Sequence, residues 1–221
     1  MSDNAVVTLC IGDGFDEMAA LTRGRIQAYA ASMGADYIEI RERAVGLPYP
    51  HFEKFQMFGM FERYKRLLYL DTDMVITRDC PDLFKLVPEE AFGAYFCQDH
   101  TDMHDASIVD CQKHIGDIGW SRTYFNSGVM LASRPHREAF RLAGAIYMGF
   151  YEQTQINYNI QREKLPIFDI GYRFNHFSVY ESINRLNSYI IHYAGAGHAG
   201  ENMSRLDQIR SDIAVLEARG R

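Results

Sequence analysis

Two aspartates stand two residues apart in the stretch "LLYLDTDMVITRDCPDLF", Leu67 to Phe84. Side chains two apart on an extended chain point the same way, so Asp71 and Asp73 converge just past an apolar run. Carboxylates that close repel unless a cation sits between them. Hard divalent ions prefer carboxylate oxygens: Mg²⁺ combines one or two of them with water and substrate phosphates, and Mn²⁺ accepts an imidazole as well. The pair therefore fits a metal that bridges the protein to a diphosphate. It also fits a solvated Asp-Thr-Asp turn, since Asp is common after strands.

The flanking segments supply the scaffold. "AVVTLCIG" predicts a buried first strand that closes on a turn with Gly12 and Gly14, where glycine lets a ligand approach the backbone. "FDEMAALTRGRIQAYAASMG" predicts a helix capped at Gly34, and "ADYIEI" a second strand. After the loop "RERAVGLPYPH", the apolar spacing of "FEKFQMFGMFERY" predicts a helix. "RLLYLD" is the third strand, ending on Asp71, and "CPDLFKLV" a short helix with Pro81 in its first turn. "AFGAYFCQ" and "TYFNSGVMLAS" read as strands, and residues 99–121 between them as a long polar loop of the kind that covers sites. "PHREAFRLAGAIYMGFYEQTQINYNIQRE" predicts two helices broken near Tyr151, and "SYIIHYAGAG" a late strand. The chain closes on an amphipathic helix with Leu206, Ile209, Ile213 and Leu216 on one face. Alternating strands and helices predict an α/β fold, a mixed and mainly parallel sheet flanked by helices. Ligands of such sheets lie beyond the carboxyl ends of the strands, where "YLDTD" and "IIHYAG" fall.

The 221 residues are 47% hydrophobic and 24% charged, an ordinary globular composition, and carry a formal net charge of −6. That balance argues against a nucleic-acid partner, which calls for a basic face. Cys10, Cys80, Cys97 and Cys111 are scattered without C-x-x-C spacing and read as reduced thiols of a cytoplasmic protein. The N-terminus lacks a basic n-region, and the apolar run Val6 to Ile11 is too short to span a membrane. A peripheral membrane contact stays open, and the oligomeric state is not legible.

"DTDMV" also satisfies the D-x-D-x-T/V pattern of haloacid-dehalogenase-like phosphohydrolases, with Asp71 as nucleophile and Asp73 as acid. Those enzymes need a downstream lysine and a second acidic cluster. The nearest candidate, "GDIGW" at Gly116, has no apolar run before it, and the pair follows the third strand rather than the first. A second resemblance covers far more of the chain. "RYKRLLYLDTDMVITRDCPDLF", "YFNSGVMLAS", "EQTQINYN" and "IIHYAG", in this order, resemble the metal-dependent GT-A glycosyltransferases, in particular the family-8 group with glycogenin and bacterial galactosyltransferases. It implies a single domain over 1–221, with a nucleotide-binding half at about 1–98, a sugar and acceptor half at about 99–200, and a C-terminal helix at 203–219. It implies transfer from a nucleotide diphosphate-sugar, a UDP-sugar by analogy, to a glycan, lipid-linked glycan or protein acceptor, with retention of anomeric configuration.

Carried over by position, the resemblance assigns Mn²⁺ or Mg²⁺ to Asp71, Asp73 and His192. Asn126 of "FNSG" would contact the donor sugar; Glu152 would hold sugar hydroxyls, Gln153 would lie near the anomeric carbon, and Asn157 follows one helical turn later. Leu9, Gly12 and Thr72 would contact the nucleotide, as would Lys54, which otherwise reads as a surface charge. Glu152 stands where the family has Asp. The family continues H-x-x-G-x-x-K-P-W after the metal histidine, with the lysine on the diphosphate. Here Gly195 matches, His198 occupies the lysine position, and Pro and Trp are absent. Either diphosphate binding depends on a partly charged histidine, or another cation such as Arg205 reaches in. An inverting relative would instead need an Asp of the 99–117 stretch as base. His100 and His104 have the spacing of a helical metal pair, but their polar surroundings favour a solvated loop. Trp120 offers a face on which an acceptor sugar would stack. A non-catalytic binding domain descended from such an enzyme is the remaining alternative.

Overall fold

The computed structural model describes residues 2–97, 103–180, 183–195 and 203–221. The first strands and helices follow the expected alternation: β1 (Asn4–Leu9), α1 (Asp13–Ser32), β2 (Asp36–Ile40), α2 (Met57–Met60), β3 (Arg66–Leu70), β4 (Met74–Ile76), α3 (Leu83–Leu86) and β5 (Phe92–Phe96). The rest comprises α4 (Met103–Ile115), β6 (Phe125–Ser133), α5 (Glu152–Arg162), β7 (Ile167–Asp169), β8 (His176–Phe177), β9 (Ile190–His192) and α6 (Arg205–Ala218). The central sheet has the order β2-β1-β3-β6-β5-β7. Only β6 runs against its neighbours, so the sheet is mixed and mainly parallel. A small second sheet, β4-β9-β8, stands beyond the carboxyl end of β3.

Every residue of β3 is buried, as a near-continuous apolar run in a doubly covered sheet should be. Alternate side chains divide the core. Val6, Leu68 and Leu70 pack with Ile26 and Tyr29 of α1 on one face. Val7, Leu67 and Tyr69 pack with Phe52, Phe55 and Ile156 on the other. Gly34 adopts φ 63° just past α1, the left-handed stop expected of it.

Three segments depart from the sequence expectation. The stretch 99–121, expected to be a loop, contains α4, whose Ile108 and Cys111 are buried in the core. "FEKFQMFGMFERY" begins in a tight 3-10 segment, Pro50–Gln56, that runs into the single turn α2. Only the second of the two helices expected after Pro135 forms: Arg134–Phe140 is 3-10, and α5 starts at Glu152 after positive φ at Phe150 and Tyr151.

The end of β6 is held by a buried histidine. His136 Nδ1 accepts from the Ser133 backbone N–H at 3.0 Å, and its Nε2–H donates to the Glu90 carbonyl at 3.1 Å. The contact with Ser133 needs the neutral ring, and burial, with help from Arg66, pushes its pKa below the ordinary 6.5 against the pull of Glu90. The unfolded chain takes up that proton near pH 6.5 and the folded chain does not. Stability from His136 is therefore complete above about pH 7 and falls as pH drops through 6.5 towards the lower folded value. In urea unfolding from pH 7 to pH 5, H136Q should lose stability less steeply than the wild type; an identical slope would refute this role.

Candidate functional site

β3 ends at Leu70, and the next three residues are pinned from both sides. The Asp71 backbone N–H donates to the Gly128 carbonyl at 2.9 Å. The Thr72 hydroxyl bonds the Leu9 carbonyl, and the Thr72 carbonyl accepts from Thr22 Oγ1 at 2.6 Å. Asp73 leads into β4, which pairs with β9 so that Met74 lies opposite His192. Tyr193 N–H donates to the Asp73 carbonyl at 2.9 Å. The pairing carries His192, more than a hundred residues away in sequence, onto the aspartates. Its Nε2 lies 3.3 Å from Asp73 Oδ1 and 3.6 Å from Asp71 Oδ2, and one ligand atom from each of the three residues falls within 4.8 Å of the others.

The imidazole orientation follows from fixed backbone donors. Gly128 N–H donates to Asn126 Oδ1 at 2.9 Å, and Ser127 N–H donates to Gln153 Oε1 at 3.1 Å. Both oxygens are thereby acceptors. Asn126 Nδ2 then donates to Gln153 Oε1, and Asn175 Nδ2 donates to Asn126 Oδ1, each at 2.8 Å. Asn175 is left with its oxygen facing His192 Nδ1 at 2.8 Å, so Nδ1 carries a proton and Nε2 is the ring nitrogen turned to the carboxylates, the one that would take a cation. Two carboxylate oxygens and one imidazole nitrogen converging on one point suit a divalent cation of the Mn²⁺ or Mg²⁺ type. Gly128 makes room for it: a Cβ there would stand 2.5 Å from His192 Cε1 and 2.9 Å from Asp71 Oδ2.

A second charged group adjoins the first. Lys54 Nζ lies 2.6 Å from Glu152 Oε1 and 3.1 Å from Asp71 Oδ1, and it also donates to the Ser127 carbonyl and hydroxyl. The ammonium is buried rather than a surface charge, and it faces the sugar-binding candidate Glu152 as well as the aspartate pair. Burial opposes its charge, but Asp71 and Glu152 outweigh burial and raise its pKa above the ordinary lysine value. Burial likewise disfavours the Asp73 carboxylate, but His192 and Arg205 outweigh it and hold that pKa below the usual range.

Asn157, at the end of the expected motif, faces the protein rather than water. Its side-chain amide accepts from Phe125 N–H at 3.0 Å and donates to the Phe125 carbonyl at 2.9 Å, standing in for a neighbouring strand. This holds the start of β6, where register shifts opposite Ala94 and Tyr95 and Ser127 and Gly128 leave the ladder.

Leu9, Lys54, Asp71, Thr72, Asp73, Asn126, Glu152, Gln153, His192 and Gly195 all line one cavity of about 610 Å³ at the carboxyl end of the sheet. Gly12 is outside that lining, and His198 lies outside the described residues, as do Asp99, His100 and Asp102. His104 is buried and stacked on Tyr124 at 4.3 Å, not in a solvated loop. Trp120 is buried too; its ring stacks on Tyr124 and its Nε1–H donates to the Arg122 carbonyl, so it offers no face to a sugar. Sequence reasoning missed Asn175 and Tyr69, whose phenol donates to Asp71 Oδ1 at 2.8 Å.

Such a fold and site define a GT-A glycosyltransferase. Solved structures with this fold include a glycosyltransferase involved in glycosylating the major capsid protein of PBCV-1, with TM-score 0.61 and 15% identity over 94% of this chain and 99% of that one. The bifunctional glycosyltransferase WbbM matches with TM-score 0.61 and 14% identity over 96% of this chain and 50% of its own. The galactosyltransferase LgtC, solved with donor and acceptor sugar analogues, matches with TM-score 0.56 and 11% identity over 97% and 95%. No curated protein matches the chain in sequence. Residues 3–165 match the Rhodobacterales glycosyltransferase domain, and the chain belongs to that family. Membership decides for sugar transfer over phosphate hydrolysis.

G128A should weaken Mn²⁺ binding at least tenfold, because the new methyl displaces His192 and Asp71, at a stability loss of about 1–3 kcal/mol from overpacking. N175A, which frees the ring of His192, should weaken it about 10–100-fold with the melting curve still cooperative. Titration of the free Mn²⁺ resonance measures both, and wild-type affinity in both variants would exclude this site.

Proposed function

We propose that the chain transfers a sugar from a nucleotide diphosphate-sugar, a UDP-sugar, to a glycan, lipid-linked glycan or protein acceptor, with retention at the anomeric carbon and with Mn²⁺ or Mg²⁺ at Asp71, Asp73 and His192. The convergence of these three side chains beside Glu152 and Gln153 carries the reading. When bound, the metal supplies charge neutralisation for the departing diphosphate. Asp71 and Asp73 provide oxygens and His192 an oriented lone pair. Glu152 has Oε1 engaged by Lys54 and Ser127, which fixes the carboxylate for sugar hydroxyls. Gln153 is held by Asn126, Ser127 and Tyr124, so it meets the anomeric region without reorganising. In a retaining transfer no protein base need deprotonate the acceptor.

The acceptor side of this reading falls to the cavity mouth. Tyr151 is an exposed aromatic of its lining; His51 stacks on it at 4.3 Å, and the exposed Tyr49, just beyond the lining, meets it edge-on at 5.1 Å. Exposed rings of this kind suit pyranose faces and take the place expected of Trp120. No helix among the described residues is long and apolar enough to cross a membrane. A cytoplasmic location is part of the proposal and rests on the four free cysteines.

The test is calorimetric titration of UDP and GDP, each with and without Mn²⁺. UDP should bind only with the metal, and equal binding without it would overturn the assignment. In parallel, D73A should abolish metal-dependent donor turnover while melting within a few degrees of the wild type; retained turnover would remove the aspartate pair from the mechanism.

A further inference from the structure

Lys54 and Arg205 are the lysine and arginine among the described residues lining the cavity, and they are not equivalent. Lys54 is enclosed, with Asp71, Glu152 and Ser127 taking its protons. Arg205 opens α6 with its side chain 25% exposed, and one nitrogen, Nη1, contacts Asp73 Oδ2 at 3.4 Å. That contact is long and single, although a guanidinium can present five donors in a planar fork. Asp73 thus shows one oxygen to His192 and the other to Arg205. The base of the arginine is firmly placed: Asp212 of α6 accepts from Arg185 at 2.7 and 3.1 Å and from the Tyr193 hydroxyl at 2.6 Å, and Tyr193 follows metal-site His192.

We propose that Arg205 is the residue that grips the diphosphate of the donor, and that in the metal-free protein it serves as counter-cation to Asp73. The inference rests on the metal and nucleotide reading above. A divalent ion on Asp73 repels the guanidinium and takes over its role of neutralising the carboxylate. The released fork has spare donors and lies on the same wall of the cavity, where paired phosphate oxygens match its geometry. One side chain thereby acts in opposite directions on the two ligands: it competes with the metal alone and cooperates with metal and diphosphate together.

Those opposite signs are the test. Mn²⁺ binding to nucleotide-free protein is followed by the free-ion resonance, and binding of UDP, uridine and inorganic pyrophosphate by calorimetry in saturating Mn²⁺. R205A should bind Mn²⁺ alone several-fold tighter, bind UDP and pyrophosphate about 10–100-fold more weakly, and bind uridine as the wild type does. R205K should recover part of the UDP affinity. Unchanged UDP and pyrophosphate affinity in R205A overturns the proposal, as does an equal loss for uridine, which would mean that α6 had merely shifted. Failure of wild-type protein to bind UDP or GDP refutes the nucleotide reading instead, and the pyrophosphate titration then decides on Arg205 by itself.

Discussion

The enclosed ammonium of Lys54 is the interaction on which the site depends. Removing such a charge from water costs several kcal/mol and is tolerated only with near-complete compensation. Here Asp71 comes from the end of β3, Ser127 from the irregular part of β6 and Glu152 from the first turn of α5. The Tyr69 ring adds its face at 4.6 Å. Because the lysine needs all of them, it sets where three separate elements end relative to one another. Asp71 and Glu152 are consequently two ends of one ion cluster, and a change in either is felt by the other.

The same cluster bears on how an acidic protein would accept the proposed anionic donor. Asp71, Asp73 and Glu152 face Lys54 and Arg205, so the carboxylates outnumber the cations within the cavity wall. A divalent ion at the proposed site would reverse that local sign, and a diphosphate would then meet a positive surface. Net charge over the whole chain is a poor guide here, because the field at the donor is set by a few desolvated groups at short range.

What the sequence revealed follows from how local each signal was. Asp71 and Asp73 were readable because strand alternation puts residues two apart on the same side. His192 and Glu152 became readable only through the order of several motifs. Asn175 could not be found: its partners His192 and Asn126 lie 17 and 49 residues away, and no local pattern marks an asparagine that orients a distant ring. β4, β7 and β8 span three residues or fewer, too short for a periodic signal, yet β4 is what carries Asp73 to His192. α4 was read as loop because its polar residues masked Ile108, Cys111 and Ile115, whose spacing marks a buried helical face. The burial of Lys54 was not legible for a related reason: it depends on carboxylates from distant segments.

The entrance to α5 shows how the remaining constraint is met. Phe150 and Tyr151 have φ of 53° and 52°, a conformation that costs side-chain-bearing residues about 1–3 kcal/mol each. The helix that follows offsets this cost with buried amides: Asn157 grips Phe125, Gln155 accepts from the Tyr147 N–H at 2.9 Å, and Asn159 donates to the Ala139 and Arg141 carbonyls. These polar residues anchor the flanking backbone and so over-determine the turn. With the turn locked, Glu152 reaches Lys54 from the first residue of the helix, Gln153 reaches Asn126 from the second, and the Phe150 and Tyr151 rings are left at the mouth of the cavity. A relaxed turn would let α5 start elsewhere and carry the two polar side chains away from Lys54 and Asn126. The strain is thus a positional device: local backbone energy is spent where the chain must change direction within two residues of the groups proposed to meet the donor sugar.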